Sequence, residues 1–114
     1  MTAPASLGLS RPELLRSGGY IDGRWVRGDA TLAVRNPADG TLVGEVANLG
    51  GPSAESAVAA ASAAFRPWSA RPAKERARIL RLWSELMLAN TEDLARILTA
   101  EQGKTLAHAR GEVA

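Results

Sequence analysis

Between residues 20 and 49 the apolar positions come in short runs separated by turn formers, which is the pattern of strands. Tyr20-Ile21 and Trp25-Val26 flank Asp22-Gly23-Arg24, and Asp-Gly is a strong tight-turn signal. Thr31-Leu32-Ala33-Val34 then runs into Asn36-Pro37-Ala38-Asp39-Gly40, and the stretch from Thr41 to Val46 leaves it. Pro37 fixes its own φ and pushes Asn36 out of the helical region. Gly40 supplies the positive φ that ends the turn. Two consecutive hairpins of four short strands are predicted.

After Gly50-Gly51-Pro52 the spacing changes to that of helices. Ser53 is placed as an N-cap, with Glu55 near the positive end of the helix dipole. Val58, Ala61 and Phe65 share one side of this alanine-rich helix, and Pro67 is expected to end it. Pro72 is expected to open a second helix from its first turn. Its apolar face is Ile79, Leu80, Trp83, Leu86 and Met87, with Lys74, Arg78, Arg81 and Glu85 mostly opposite. Asn90 closes it and Thr91 caps a third helix, which carries Glu92 and Asp93 in its first turn. Leu94, Ile97 and Leu98 form the expected buried stripe, and Gly103 stops that helix. Thr105 starts a fourth, which is still running at Ala114.

Residues 1–19 read as a flexible arm, punctuated by Pro4, Pro12 and Gly18-Gly19, with at most one helical turn at Glu13-Leu14-Leu15-Arg16. Apolar residues are 46% of the 114, enough for a globular chain. Much of that share is alanine, with one Phe, one Tyr and three Trp, so the core buries little area per residue. Missing packing partners are the natural explanation, and a fourth helix without a stop signal adds to the expectation of a truncated domain.

A net charge of +2 and the absence of cysteine change the picture further. The first gives no push toward a nucleic-acid partner. The second excludes disulfides, thiolate metal sites and a cysteine nucleophile within these residues. No apolar run approaches the roughly 20 residues that cross a bilayer, and Met1 to Gly19 lacks the apolar core of a secretory signal. A cytoplasmic location and no membrane partner are the expectation.

Candidate chemistry is sparse. Neither a dinucleotide-binding nor a Walker glycine loop can be placed. Gly50-Gly51-Pro52 precedes a helix N-terminus, but a plain strand-to-helix turn accounts for it. His108 is the one histidine, so no histidine cluster or Ser/His/Asp set can form. Arg66, Arg71, Lys74, Arg76, Arg78 and Arg81 cluster against Glu75 alone, as a solvated helix face without interleaved aromatics.

Taken in order, the segments resemble the opening of aldehyde dehydrogenases. They are Tyr-Ile-Asp-Gly-Arg-Trp at 20–25, Asn-Pro-Ala-Asp-Gly at 36–40 and Val-Gly-Glu-Val-Ala at 43–47. Ala-Ala-Phe-Arg-Pro-Trp at 63–68 and Lys-Glu-Arg-Ala-Arg-Ile-Leu at 74–80 follow. The last two are Asp-Leu-Ala-Arg-Ile-Leu-Thr-Ala-Glu-Gln-Gly-Lys at 93–104 and Ala-Arg-Gly-Glu-Val at 109–113. Glu-Gln-Gly-Lys and Ala-Arg-Gly-Glu point to the succinate-semialdehyde dehydrogenase branch. That branch usually has proline where this chain has Thr105.

The resemblance implies an α/β fold of aldehyde dehydrogenase type. Residues 20–114 would be the N-terminal portion of the NAD(P)-binding domain, two β-hairpins followed by three to four helices. It also implies oxidation of an aldehyde, succinate semialdehyde first, to the carboxylate with NAD or NADP, in an enzyme that is a homo-oligomer. In that family a cysteine attacks the carbonyl, hydride passes to the nicotinamide, a glutamate activates water, and an asparagine with a backbone amide steadies the oxyanion. All lie downstream in family members. None maps here, so no catalytic, cofactor-binding or metal residue is assigned, and these residues alone are expected to be inactive. Some members hold a monovalent cation at positions that would be the main-chain oxygens of Val34 and Arg35 with Glu101; a surface charge is the other reading of Glu101. Two alternatives stay open: another branch acting on glutarate semialdehyde, betaine aldehyde or lactaldehyde, and a small basic helical interaction module.

Overall fold

Asp22 and Gly23 have φ of +49° and +74°, the two left-handed residues that a two-residue hairpin turn demands. In the computed structural model, which describes residues 6–114, this turn joins β1 (Gly19–Ile21) to β2 (Arg24–Val26) in antiparallel pairing. Tyr20 and Trp25 face each other across the pair with ring centroids 5.0 Å apart. The Arg16 guanidinium lies 4.9 Å from the Trp25 ring centroid, within cation–π range.

The second hairpin pairs β3 (Ala30–Arg35) with β4 (Leu42–Asn48). Asn36 and Asp39 tie its loop from inside. Asn36 Oδ1 accepts from Ala38 N at 2.9 Å, and Asp39 Oδ1 accepts from Thr41 N at 2.9 Å and Thr41 Oγ1 at 2.7 Å. The register shifts between Val34 and Arg35, which pair with Gly44 and Leu42. The extra residue is Val43, 2% exposed, and the bulge turns it into the core.

Helices α1 (Gly50–Ser69), α2 (Ala73–Ala89), α3 (Thr91–Gln102) and α4 (Leu106–Val113) complete the chain. Helix α1 starts earlier and ends later than the sequence predicts. Gly50, at φ +64°, turns the chain, and Pro52 fits the first turn because its missing N–H has no partner there. Ser53 therefore sits inside the helix and caps nothing, and no acid lies in the first turn. Pro67 falls in the last turn, where it removes one backbone bond; Ala70 N still reaches Arg66 O at 3.1 Å. Pro72 is the residue before α2, and its carbonyl accepts from Glu75 N at 3.0 Å and Arg76 N at 3.2 Å. Asn90, in place of Thr91, is the junction residue between α2 and α3. The local signals that hold are Gly103, at φ +73° closing α3, and Thr105, whose hydroxyl accepts from His108 N at 3.3 Å to cap α4.

The core is small and lies between α3, α4 and the β3–β4 pair. Its buried apolar residues are Val43, Ala95, Ala100 and Ala109. The expected stripe of Leu94, Ile97 and Leu98 is only half-buried, because α3 meets α4 through its alanines, where backbones approach closely. Gly103 seats the β3–β4 loop: a Cβ there would come within 2.7 Å of Pro37 Cγ. Residues 1–5 of the expected arm lie outside the described residues. The rest of it makes a single 3-10 turn at Pro12–Leu14 and is bonded to the body, Ala47 N donating to Ser17 O at 2.7 Å.

Candidate functional site

Asp93 is the one buried charged side chain among the described residues, at 5% exposure. It accepts from the backbone N–H of Ser10 at 3.0 Å and of Arg11 at 2.7 Å. Asn90, one turn earlier, accepts from Arg11 Nη1 at 3.3 Å. The sequence marks Asp93 only as a first-turn acid of α3. Its partners lie 82 and 83 positions away, beyond the reach of any local signal.

A second acid cluster joins α3 to α4. Glu92 accepts from Arg110 Nε at 2.8 Å and Nη2 at 3.1 Å, and from Arg96 Nε at 3.3 Å. The Arg110 hydrogen bonds, the largest cause, and the two positive charges hold the Glu92 carboxyl below its ordinary range. Lys104, just before α4, pairs with Glu112 near the end of that helix. These contacts are exposed and structural. None sets an activated nucleophile beside a base.

Val34 and Glu101 do come together, on the wall of one cavity of about 150 Å³ under the β3–β4 pair. Glu45 and the guanidinium-bearing Arg16 share that wall, while Arg35 does not line it. Instead Arg35 Nη1 donates to Gly40 O at 3.0 Å across the turn. Among the described residues no group of three or more His, Cys, Asp or Glu side chains is placed to hold a metal ion. His108 is exposed on α4.

Helix α2 is the conspicuous surface. The sequence assigns its apolar face to packing, yet no residue of α1 or α2 is buried. Trp83 and Leu86 are 64% and 63% exposed, and Leu80 is 53% exposed. Ile79, Leu82 and Met87 extend the same arc, and Val58 and Phe65 of α1 are each 66% exposed. Neighbouring apolar side chains exposed together mark an interaction surface more often than apolar residues scattered singly. On the opposite side of α2, Lys74, Arg78 and Arg81 line a groove of about 640 Å³ with Pro72 and Glu75. Of the rest of the basic cluster, Arg66 on α1 and Arg71 before α2 are exposed outside that groove, and Arg76 is half-buried.

Gly50 and Gly51 open α1 with nothing within 4 Å of an added Cβ and no side-chain N-cap bond. No helix is long and apolar enough to cross a membrane among the described residues.

The sequence profile described as "Aldehyde dehydrogenase family" matches residues 25–114. The chain is 52% identical over 109 residues to a 3-sulfolactaldehyde dehydrogenase of Pseudomonas putida, covering 94% of this chain and 22% of that protein. It is 46% identical over 101 residues to the mitochondrial succinate-semialdehyde dehydrogenase of Mus musculus, covering 89% of this chain and 19% of the relative. The crystal structure of an aldehyde dehydrogenase from Brucella melitensis biovar abortus 2308 superposes with a TM-score of 0.91 at 46% identity, over 95% of this chain and 23% of that one. The chain thus spans about a fifth of the length of the relatives it matches.

Proposed function

The chain belongs to the aldehyde dehydrogenase family, and from that premise we propose that it is the opening segment of the NAD(P)-binding domain of an enzyme that oxidises an aldehyde to a carboxylate. The observation that carries this reading is the uncovered arc of α2. Six large apolar side chains, Ile79, Leu80, Leu82, Trp83, Leu86 and Met87, stand in water in a chain a fifth the length of its relatives. Full burial of such a side chain is worth roughly 1.5–3 kcal/mol, and the 39–64% of each that is still exposed supplies a corresponding share, which favours a body of protein lying over them. Residues 20–114 then act as scaffold, and residues 6–19 as an arm held at Asp93.

The two relatives named above suggest a substrate class. Sulfolactaldehyde and succinate semialdehyde are both short aldehydes that carry an anionic group, a sulfonate and a carboxylate. An aldehyde of that kind, succinate semialdehyde first, is the substrate we assign to the whole enzyme, with NAD or NADP as hydride acceptor and a homo-oligomeric state. We assign no reaction step to these residues, whose sequence has no cysteine and neither a dinucleotide-binding nor a Walker glycine loop. A monovalent cation between the Val34 main chain and Glu101 belongs to the same proposal, supported by their common cavity.

Co-expression tests the reading. The chain should associate with the 3-sulfolactaldehyde dehydrogenase of P. putida from which the aligned segment has been deleted. The pair should reduce NAD(P)⁺ with succinate semialdehyde, and the chain alone should not. Turnover by the chain alone, or absence of any association, refutes it.

A further inference from the structure

Two Asp-Gly pairs lie in exposed turns, Asp22-Gly23 and Asp39-Gly40. In this dipeptide the glycine nitrogen attacks the preceding side-chain carboxyl with least hindrance, because no side chain flanks it. The structure holds the two pairs very differently.

At the second pair both reacting groups are engaged. Gly40 N–H donates to Asn36 O at 2.8 Å. Asp39 Oδ1 accepts from Thr41 N and Thr41 Oγ1. Those bonds, the backbone one first, also keep the Asp39 carboxyl below its ordinary range, so the protonated acid is scarcer. The strands that this turn closes are six and seven residues long.

At the first pair neither group is held. Among the described residues, the Asp22 carboxylate and the Gly23 N–H make no hydrogen bond. Asp22 is also the one non-glycine described residue with positive φ, a conformation that costs an L-residue energy. Strands of only three residues flank it, and such short pairings open readily.

We propose that Asp22 is a site of spontaneous conversion to isoaspartate through a succinimide formed with Gly23, and that Asp39 is protected from the same reaction by its turn. The Gly23 nitrogen bonds to Cγ of the protonated Asp22 acid, and the carboxyl OH leaves with the amide proton as water. One water then opens the ring. Attack at Cγ restores aspartate, and attack at the α-carbonyl leaves the chain running through Cβ. The sum is an isomerisation with no change in mass and no redox partner. The added backbone carbon no longer fits a two-residue turn, so the Ile21–Arg24 pairing is lost. The product also displays a free α-carboxylate, the group that a carboxyl-methylating repair enzyme takes.

The test is to age the purified chain at 37 °C and neutral pH and quantify isoaspartate at each site by peptide mapping, with and without urea. In the folded chain Asp22 should convert at least about tenfold faster than Asp39, because the bonds at Asp39 and Gly40 must break first. In urea the two rates should converge. Thr41→Ala, which removes one bond to Asp39, should raise conversion at Asp39 and leave Asp22 unchanged. Equal rates in the folded chain, or faster reaction at Asp39, overturn the proposal. An Asp22 excess that persists in urea overturns it too, since the bias would then come from local sequence.

Discussion

Replacing Asp93 with alanine removes the acceptor for two backbone N–H groups of a segment 82 and 83 residues away. Hydrogen bonds to a charged group contribute about 1.5–3 kcal/mol each. The carboxylate is buried but the bonds are partly open to water, and losses at one anchor do not add fully. A loss of about 3 kcal/mol is therefore expected for the anchor as a whole, near the lower sum of two such bonds. At 1.4 kcal/mol per decade this is about a hundredfold in the opening equilibrium. Amide hydrogen exchange reads it directly: Ser10 and Arg11 should lose about two decades of protection in the Asp93→Ala chain. Asp93→Asn should fall between, because an amide oxygen can still accept one bond while its nitrogen cannot. An Asp93 that matters only as a first-turn acid would weaken α3 by about 0.3–1 kcal/mol and leave the arm alone. Unchanged protection at Ser10 and Arg11, with exchange altered only in α3, refutes the anchor.

Gly103→Ala should lower the thermal midpoint, at a cost of about 1–3 kcal/mol, because φ of +73° strains an L-residue and the new methyl meets Pro37; an unchanged midpoint contradicts the seating of that loop. Glu92 is held below its ordinary pKa by Arg110 and Arg96. Its contribution is complete above the unfolded-state value and lost as pH falls through the lowered folded value. An acid titration of stability should therefore be shallower in Glu92→Gln than in the parent chain; identical profiles would exclude the ion pairs as a source. The effect is small, since all three groups face solvent.

Features written in a few adjacent residues were legible from the chain alone. Asp22-Gly23 makes a two-residue turn because glycine and aspartate tolerate left-handed φ, and no distant contact is needed to say so. Gly103 and Thr105 end and begin helices for equally local reasons. The ordered blocks from Tyr20 to Val113 also carried the family. Helix α1 extends past both ends that its glycines and proline predict. Gly50 can start a helix from positive φ, and Pro67 in a last turn costs only one bond.

Periodicity determined which side of α2 is apolar, but burial is a property of two surfaces, and the sequence of one helix does not contain the other. Tertiary structure decided that Trp83 and Leu86 stand exposed while Ala95, Ala100 and Ala109 form the core, because small side chains let α3 and α4 approach closely. It also decided the partners of Asp93. A carboxylate leaves water only where donors replace its hydration, and Ser10 and Arg11 become those donors only once the chain has closed a loop of more than eighty residues.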